Sequence, residues 1–537
     1  MATLERTGAI AAWTELLTEQ YAIFDPPELT AAATATYQTN EAVMAILRPH
    51  TTEQVQQCLQ IATEYQIPVY PVSSGKNWGY GSRVPTASDC ALLDLSRMDR
   101  IIEINPELAY VTVEPGVTQQ QLYDYLQQQQ ANLWMDSTGS SPQSSLIGNV
   151  LERGFGHTPY GDRFDNVCGL EVVLPTGELV HTGFGRFSEA KATPVYRWGL
   201  GAYLDGIFTQ SNFGIVTRMT IWLMPAPEYF QAFYFSIKSE EQLPALIDAL
   251  RPLRLNGTIK SAVHIGNSYK VLSSIRQYPW QETDGVTPLP PETMDYFAKS
   301  WDFGSWNGSG GLYGTKKQVA IARRLIKAAL KGKVRKLQFV DDNTLKLAQA
   351  VAPQYKAVMG LNLPEMLKII KPVYGLMKGI PTATQLKSTY WRKKTTPPEA
   401  MNPDRDGCGL IWCAPIAPLK GECAEEISSI ATPIFRKHGF EPLISLTLLT
   451  ERCLGCIITI AYDRSIPGED EKAIACHEEL LKAFSESGYY PYRIRVHDRD
   501  IITAGEGSYQ ELLQKIKAAI DPNNILAPGR YFKPKLE

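Results

Sequence analysis

The hydrophobic positions in the first quarter of the chain follow two periods, which predicts a mixture of helices and strands. Residues 51–65 repeat apolar side chains at helical spacing behind a capping threonine, Thr51 or Thr52. Short apolar runs bounded by turn residues predict strands over 67–72, 90–95, 100–105 and 109–114, followed by a helix over 119–130. This order is typical of an α+β protein and not of a doubly wound one.

The β-rich pattern continues to a pair of prolines. Residues 169–182 read as a hairpin around the turn 175–177, and apolar runs at 211–216 and 219–223 predict further strands. Pro225 and Pro227 then mark a predicted domain boundary. Beyond it, helical and strand patterns alternate at longer spacing up to about residue 490.

Composition narrows the class of protein. The 537 residues leave room for two or three domains, and 44% hydrophobic with 20% charged residues is an ordinary globular balance. A net charge of −3 gives no support for nucleic-acid binding. The N-terminus lacks a basic start followed by an apolar core, and no apolar run reaches membrane-spanning length, so we expect a cytoplasmic protein without integral membrane association.

The nine cysteines are odd in number and scattered, which favours reduced thiols. Cys453 and Cys456 have the spacing of a redox or metal pair. They lie in an apolar run with no second pair and no nearby histidine, so we interpret them as buried strand cysteines and predict no metal site.

One segment, residues 316–336, is locally basic. Ile321, Leu325, Ala328 and Ala329 recur at helical spacing between its charges. This predicts an amphipathic helix with a solvated basic face. Attachment to a membrane surface or an acidic partner is the alternative.

A glycine-rich loop, SGKNWGYGS at residues 74–82, follows the predicted strand 67–72. Such a loop lets backbone N–H groups approach an anion, usually a phosphate. It is neither a P-loop, because Asn77 stands where Ser or Thr would bind magnesium, nor the GxGxxG of a dinucleotide fold. A second stretch, DSTGSSPQSSLIGN at 136–149, favours a loop around a polar ligand over a disordered linker.

The 74–81 loop resembles the pyrophosphate loop of the vanillyl-alcohol oxidase/p-cresol methylhydroxylase flavoproteins. Further stretches similar to that family follow in its order: VEPGV at 113–117, IGNV at 147–150, RG at 153–154, TPYGD at 158–162, GLEVVL at 169–174, YLDGIF at 203–208, QSNFGIVT at 210–217, WLMP at 222–225 and DPNNILAPG at 521–529. The match is close over 45–228 and looser elsewhere.

The resemblance implies an α+β fold with a two-part FAD-binding domain, residues 1–228 and 491–537, and an α/β cap domain, 229–490, over the flavin. It implies bound FAD, and Arg530 near the flavin. The residues that it assigns to the cofactor are Ser74, Gly75, Lys76, Asn77, Trp78, Gly79, Ser137, Thr138, Gly139, Ser140, Ser144, Ser145, Gly148, Asn149, Gly154, Gly214, Ile215 and Arg530.

The phenol-oxidising members ionise a para-substituted phenol and pass hydride from its benzylic carbon to flavin N5, which gives a p-quinone methide. Two tyrosines and an arginine stabilise the phenolate, and the resemblance places these roles on Tyr80, Tyr492 and Arg493. An arginine is a dependable counter-charge, because it keeps its proton. We therefore expect an oxidoreductase acting on a 4-alkylphenol or a tyrosine-derived compound, with hydroxylation, dehydrogenation or trapping as outcomes.

Three departures from the family pattern bear on the reaction. Residues 406–415 carry neither the His nor the Tyr that binds flavin covalently, so we expect dissociable FAD; a thioether from Cys408 or Cys413 is the alternative. Asp136 lies too early to be the aspartate that oxidases place near N5. His157 replaces a frequent tyrosine, as a structural histidine or as a base.

Alternatives remain open at the level of sequence. The chain could be a family member acting on a non-phenolic alcohol, sugar lactone or amine, a redox-neutral FAD-dependent biosynthetic enzyme, or a non-catalytic flavin-binding subunit. The resemblance suggests a homodimer. It leaves the electron acceptor as O2 or a redox protein.

Overall fold

A computed structural model describes residues 2–359, 363–498 and 507–531, together with residues 501 and 505. Within them the helices, α1 to α14 in chain order, are Ala2–Leu17, Pro26–Ala32, Thr52–Glu64, Gln119–Gln128, Leu146–Leu151, Leu243–Leu255, Ser268–Ile275, Pro291–Trp301, Lys316–Leu330, Asp342–Met359, Leu363–Leu376, Gly421–Lys437, Glu469–Glu486 and Gly507–Ile520. The strands, β1 to β19, are Ala22–Ile23, Val43–Leu47, Val69–Val72, Cys90–Asp94, Ile101–Asn105, Tyr110–Val113, Leu133–Trp134, Val167–Val173, Leu179–His181, Ile215–Trp222, Met224–Pro225, Tyr229–Ile237, Val263–Asn267, Trp306–Gly314, Lys336–Val340, Cys408–Cys413, Ile416–Pro418, Leu443–Leu448 and Cys453–Asp463.

The first sheet has the order β1-β2-β4-β3, with β2, β4 and β3 parallel. Helix α3 packs against it, and the Thr51 hydroxyl caps that helix by accepting from the Gln54 N–H. The far end of the chain joins this sheet, because Val69 of β3 exchanges backbone hydrogen bonds with Ile525 and Ala527 at 2.8 and 2.7 Å. The glycine-rich loop leaves this edge strand.

The second sheet is antiparallel, with the order β5-β6-β10-β8-β9. The predicted hairpin 169–182 is present as β8 and β9. The two strands predicted at 211–216 and 219–223 are wrong as separate elements, because Ile215–Trp222 forms one strand. The register of this strand against β8 shifts between Val216 and Arg218, and the shift accommodates the charged Arg218 in the middle of the strand.

The third sheet contains all eight strands from β12 to β19. Their order is β15-β12-β14-β13-β18-β19-β16, and β17 pairs with β19. Alternate residues along its strands point to opposite faces, and one face is apolar whereas the other is polar. Leu446 and Ile458 point into a core covered by α6, α9, α12 and α13. Ser445, Thr447 and Thr459 point to the opposite face and line a cavity. All strands of this sheet come from residues 229–463, inside the predicted cap range, and the domain boundaries stay predictions.

Two smaller expectations also have outcomes. Cys453 and Cys456 lie on strand β19, as predicted, but only Cys456 is fully buried and Cys453 is half-buried. The basic helix forms as α9, but its buried face is Val319, Ile326 and Leu330, whereas Ile321 and Leu325 are exposed. The predicted apolar face was therefore partly wrong. No helix among the described residues is long and apolar enough to cross a membrane.

Candidate active site

A cavity of about 380 Å³ lies between the glycine-rich loop and the polar face of the third sheet. It collects most of the residues that the resemblance assigned to the cofactor, although these come from four separate stretches. The assigned residues that line it are Ser74, Gly75, Lys76, Asn77, Trp78, Thr138, Gly139, Ser140, Ser144, Ser145, Gly148, Asn149, Gly154, Gly214 and Ile215.

The walls of this cavity fit an extended cofactor with a pyrophosphate. Gly75 has a φ of +67°, a backbone conformation that side chains disfavour. A Cβ at Gly148 would collide with the Ser73 hydroxyl, so any larger residue there would displace that side chain. The Ser211 hydroxyl is buried at the wall without a hydrogen-bond partner in the described residues. An orphaned donor in a glycine-lined cradle suits a polar ligand.

Three assigned residues lie outside the cavity lining. Gly79 faces the third sheet, where an added Cβ would meet the Trp412 ring at 3.0 Å. Ser137 is fully buried, and its hydroxyl has no hydrogen-bond partner among the residues that the structure describes. Arg530 is buried behind Glu152, to which it pairs at 3.2 Å. Their roles toward the cofactor stay predictions, as do those of the lining residues.

Tyr80, Tyr492 and Arg493 meet at the cavity wall, although more than 400 residues separate the first from the others. The Arg493 guanidinium lies over the Tyr80 ring, 4.6 Å from its centroid. It also donates to the Asn77 side-chain oxygen at 2.5 Å, which ties the C-terminal segment to the glycine-rich loop. The Tyr80 hydroxyl is buried beside that of Tyr492, whose pKa it helps to lower, but it makes no hydrogen bond of good geometry with any described residue. A ligand oxygen at this point would satisfy it.

The protonation states of this trio suit the binding of an anion. Burial raises the pKa of Tyr80 well above its ordinary value, and it also raises the pKa of Tyr492 against the opposing charge of Arg493. Both tyrosines are therefore neutral hydroxyl donors near neutrality. The arginine supplies the positive charge that makes such hydrogen bonds stronger.

Glu152 is a site residue that the sequence reasoning missed. It pairs with Arg493 at 3.3 Å and with Arg530 at 3.2 Å, and it accepts from the Tyr531 hydroxyl at 2.6 Å. Burial opposes its ionisation, but the charges of Arg530 and Arg493 outweigh burial and hold its pKa below the ordinary value. It is the one carboxylate among the described residues that line the cavity, and its acceptor capacity is already engaged.

His157 lines the cavity as part of a histidine pair. Its Nδ1 lies 2.9 Å from Nε2 of His264, and Nδ1 of His264 lies 3.1 Å from the Thr447 hydroxyl. Burial lowers the pKa of His157 well below its ordinary value and that of His264 to about 4. Both rings are neutral near pH 7, and a hydrogen-bonded chain links His157 through His264 to Thr447. The stacked Phe155 lies between this pair and Tyr492.

The other departures from the family pattern also have positions. Asp136 is buried, pairs with Arg163 at 3.2 Å and accepts a hydrogen bond from the Thr158 hydroxyl. It does not line the cavity. On β16 the residues that face the cavity are Leu410 and Trp412, whereas Cys408 and Cys413 do not line it. This arrangement supports the expectation of a dissociable cofactor.

Comparisons with known proteins agree with this geometry. Residues 43–183 match the FAD binding domain family. The chain is 34% identical to the 4-cresol dehydrogenase (hydroxylating) flavoprotein subunit of Pseudomonas putida, over 91% of this chain and 88% of that protein. It is 42% identical to the 1'-carboxy-chondrochloren decarboxylase of Chondromyces crocatus, over 98% of this chain and 97% of that protein.

Solved structures show the same similarity in three dimensions. Substrate-bound p-cresol methylhydroxylase superposes with a TM-score of 0.88 at 31% identity, covering 99% of this chain and 97% of that one. The 4-ethylphenol oxidase of Gulosibacter chungangensis, in complex with isoeugenol, gives 0.89 at 28% identity, covering 99% and 98%. The similarity therefore extends over both the cofactor side and the sheet side of the cavity.

Proposed function

Because the chain belongs to the p-cresol methylhydroxylase family of FAD flavoproteins, we propose that it takes hydride from the benzylic carbon of a para-substituted phenol. That it is an FAD-dependent oxidoreductase follows from the family itself. The proposal of a phenol rests on one observation above all. The buried Tyr80 hydroxyl makes no hydrogen bond of good geometry with any described residue, and it lies beside Tyr492 and Arg493, where a phenolate oxygen would complete it.

In this proposal the trio binds and ionises the phenol. Neutral Tyr80 and Tyr492 donate to the oxygen, and Arg493 stabilises the negative charge, which offsets the cost of ionising a group of pKa about 10 near neutrality. Electron density from the phenolate weakens the benzylic C–H bond. Bound FAD supplies the hydride acceptor, N5. Trp412 packs edge-on against Tyr80 at 5.3 Å between ring centroids and holds that ring in place.

Loss of carbon dioxide is a second outcome that two observations favour. One relative is named as a decarboxylase. In addition, the cavity lining in the described residues offers no free carboxylate to activate water, since Glu152 is engaged by two arginines. After hydride leaves the benzylic carbon, a carboxylate on the adjacent carbon departs as CO2. Its C–C electron pair forms the new double bond, and the quinone methide returns to a phenolate.

We also propose that the FAD is dissociable, that O2 or a redox protein reoxidises it, and that the protein is a cytoplasmic homodimer. The first of these is supported by Leu410 and Trp412, which face the cavity from β16 and offer no nucleophile. Acid precipitation of the yellow holoenzyme should release all of its flavin. Flavin retained on the precipitate would contradict this part.

Anaerobic mixing with a panel of para-alkylphenols tests the main proposal. The oxidised flavin absorbance should bleach with phenols that carry a para carbon and should persist with phenols that lack one. Tyr492→Phe should slow bleaching far more than it weakens FAD retention, because its hydroxyl contacts the phenol oxygen and not the cofactor. Bleaching by an aliphatic alcohol but by no phenol would refute the proposal.

A further inference from the structure

Lys270 is a charged group in the cavity wall that the proposed reaction does not use. It lies in α7, near the start of that helix, and lines the cavity. Its methylenes lie over Gly266 of β13, where an added Cβ would be 3.3 Å from the Lys270 Cγ. The bare glycine therefore makes room for the lysine on the polar face of the third sheet.

Lys270 has no ionic partner among the described residues. Its ammonium donates to the Ser388 hydroxyl at 3.0 Å, and that hydroxyl in turn donates to the Gln385 carbonyl. Two of its three N–H donors are left for a ligand. Burial, with no carboxylate nearby, lowers its pKa to about 8, so it still carries a charge near pH 7. A partly buried cation that faces a cavity without an opposing charge favours an anionic ligand group.

The other charged groups of the cavity lining are accounted for. Arg493 faces Glu152, and Lys76 belongs to the glycine-rich loop, where the charge of Asp404 opposes the lowering of its pKa by burial. On the side of the third sheet, the lining offers hydroxyls, neutral His264 and Lys270. Lys270 is thus the cation placed for a substrate and not for the cofactor.

Strand register gives the separation between two backbone positions, Gly266, which contacts Lys270, and Trp412, which contacts Tyr80 of the phenolate trio. Gly266 on β13 is level with Ser445 on β18, Ser445 with Ile457 on β19, and Thr459 with Trp412 on β16. Three strand spacings, together with the two-residue offset between Ile457 and Thr459 along β19, put Gly266 and Trp412 about 16 Å apart at the backbone. Lys270 and the trio line the same cavity, so a ligand that spans this cavity can contact both.

We propose that Lys270, held by Ser388, binds a carboxylate on the alkyl arm of the para-substituted phenol. This assignment rests on the proposed function and names its substrate class. The phenol oxygen lies against Tyr80, Tyr492 and Arg493, and the carboxylate lies against the ammonium across the cavity. The benzylic carbon is thereby fixed at two points, which restricts its orientation toward the cofactor.

The test compares 3-(4-hydroxyphenyl)propanoate with its uncharged amide, which has the same shape. Calorimetry on the wild-type holoenzyme should show at least 10-fold tighter binding of the acid. In Lys270→Met the ratio of acid to amide affinity should fall about 30-fold, the size expected for loss of a buried charge partner. Lys270→Arg, with flavin content and melting temperature measured alongside, should keep the preference for the acid.

The outcomes separate this inference from the proposed function. Equal binding of acid and amide by the wild-type protein, or an equal loss for both in Lys270→Met, would overturn the carboxylate assignment. If flavin bleaches with phenols in either case, the proposed function survives alone. If the acid binds through Lys270 but no phenol bleaches the flavin, the carboxylate site stands and phenol oxidation fails.

Discussion

Replacing Tyr80 by phenylalanine should weaken phenol binding without destabilising the protein. The ring would keep its contacts with Trp412 and with the Arg493 guanidinium. Only a hydroxyl is removed, and this hydroxyl is buried without any partner in the described residues. A variant that loses phenol binding because it unfolds would instead show a lowered stability.

The size of each effect follows from the environment of that hydroxyl. A hydrogen bond to a charged oxygen contributes about 1.5–3 kcal/mol, so the phenol affinity and the rate of flavin reduction at low phenol should fall roughly 10- to 150-fold. A buried polar group left unpaired costs about 1–3 kcal/mol. Removing it should therefore leave the free energy of unfolding unchanged or raise it by up to about 1 kcal/mol.

Stopped-flow reduction under anaerobic conditions and thermal unfolding of the holoenzyme measure the two effects. Tyr37→Phe is the matched control, because the Tyr37 hydroxyl is also buried without a partner but lies outside the cavity lining. It should share the neutral effect on stability and leave phenol reduction intact. A melting temperature lowered in Tyr80→Phe, or phenol reduction unchanged, would refute the reasoning.

Two further predictions concern pH and backbone strain. Burial lowers the pKa of His264 to about 4, so the unfolded chain binds more protons below pH 6.5 and stability should fall by about 3 kcal/mol between pH 6.5 and 4. Denaturant unfolding of His264→Gln should show a shallower decline, and an identical decline would contradict this. Gly79→Ala, with φ at +77° and its Cβ 3.0 Å from Trp412, should lose about 1–2 kcal/mol of stability and slow phenol reduction. Gly201→Ala, with φ at +91° and open space around it, should lose stability alone, and equal kinetic effects in both variants would count against a role for Trp412.

Local signals predicted much of the first half of the fold. The helix behind Thr51 and the hairpin at 169–182 formed where the sequence placed them, since caps and turn residues act within a few positions. The strand over Ile215–Trp222 was split in the prediction, because a polar Arg218 interrupts its apolar run. A register shift against β8 lets the strand continue through Arg218. Such a shift depends on the partner strand, so the local sequence does not reveal it.

The candidate site could be predicted only in part. Tyr80, Tyr492 and Arg493 were found through resemblance and not through spacing, because nothing local relates residues so far apart. Glu152 and Lys270 carry no motif of their own. Their roles follow from their burial and from the charged groups that face them, and both properties exist only once the cavity is assembled.

The pairing of Val69 with Ile525 and Ala527 has a consequence for how the chain is made on the ribosome. Strand β3 is an edge strand until that segment arrives, about 450 residues later. At about 5–20 residues per second this leaves an open edge for roughly 20–90 s, a period when unpaired strands invite wrong partners. Deleting 525–531 should therefore lower the yield of intact protein during synthesis, beyond any loss of stability in the finished molecule.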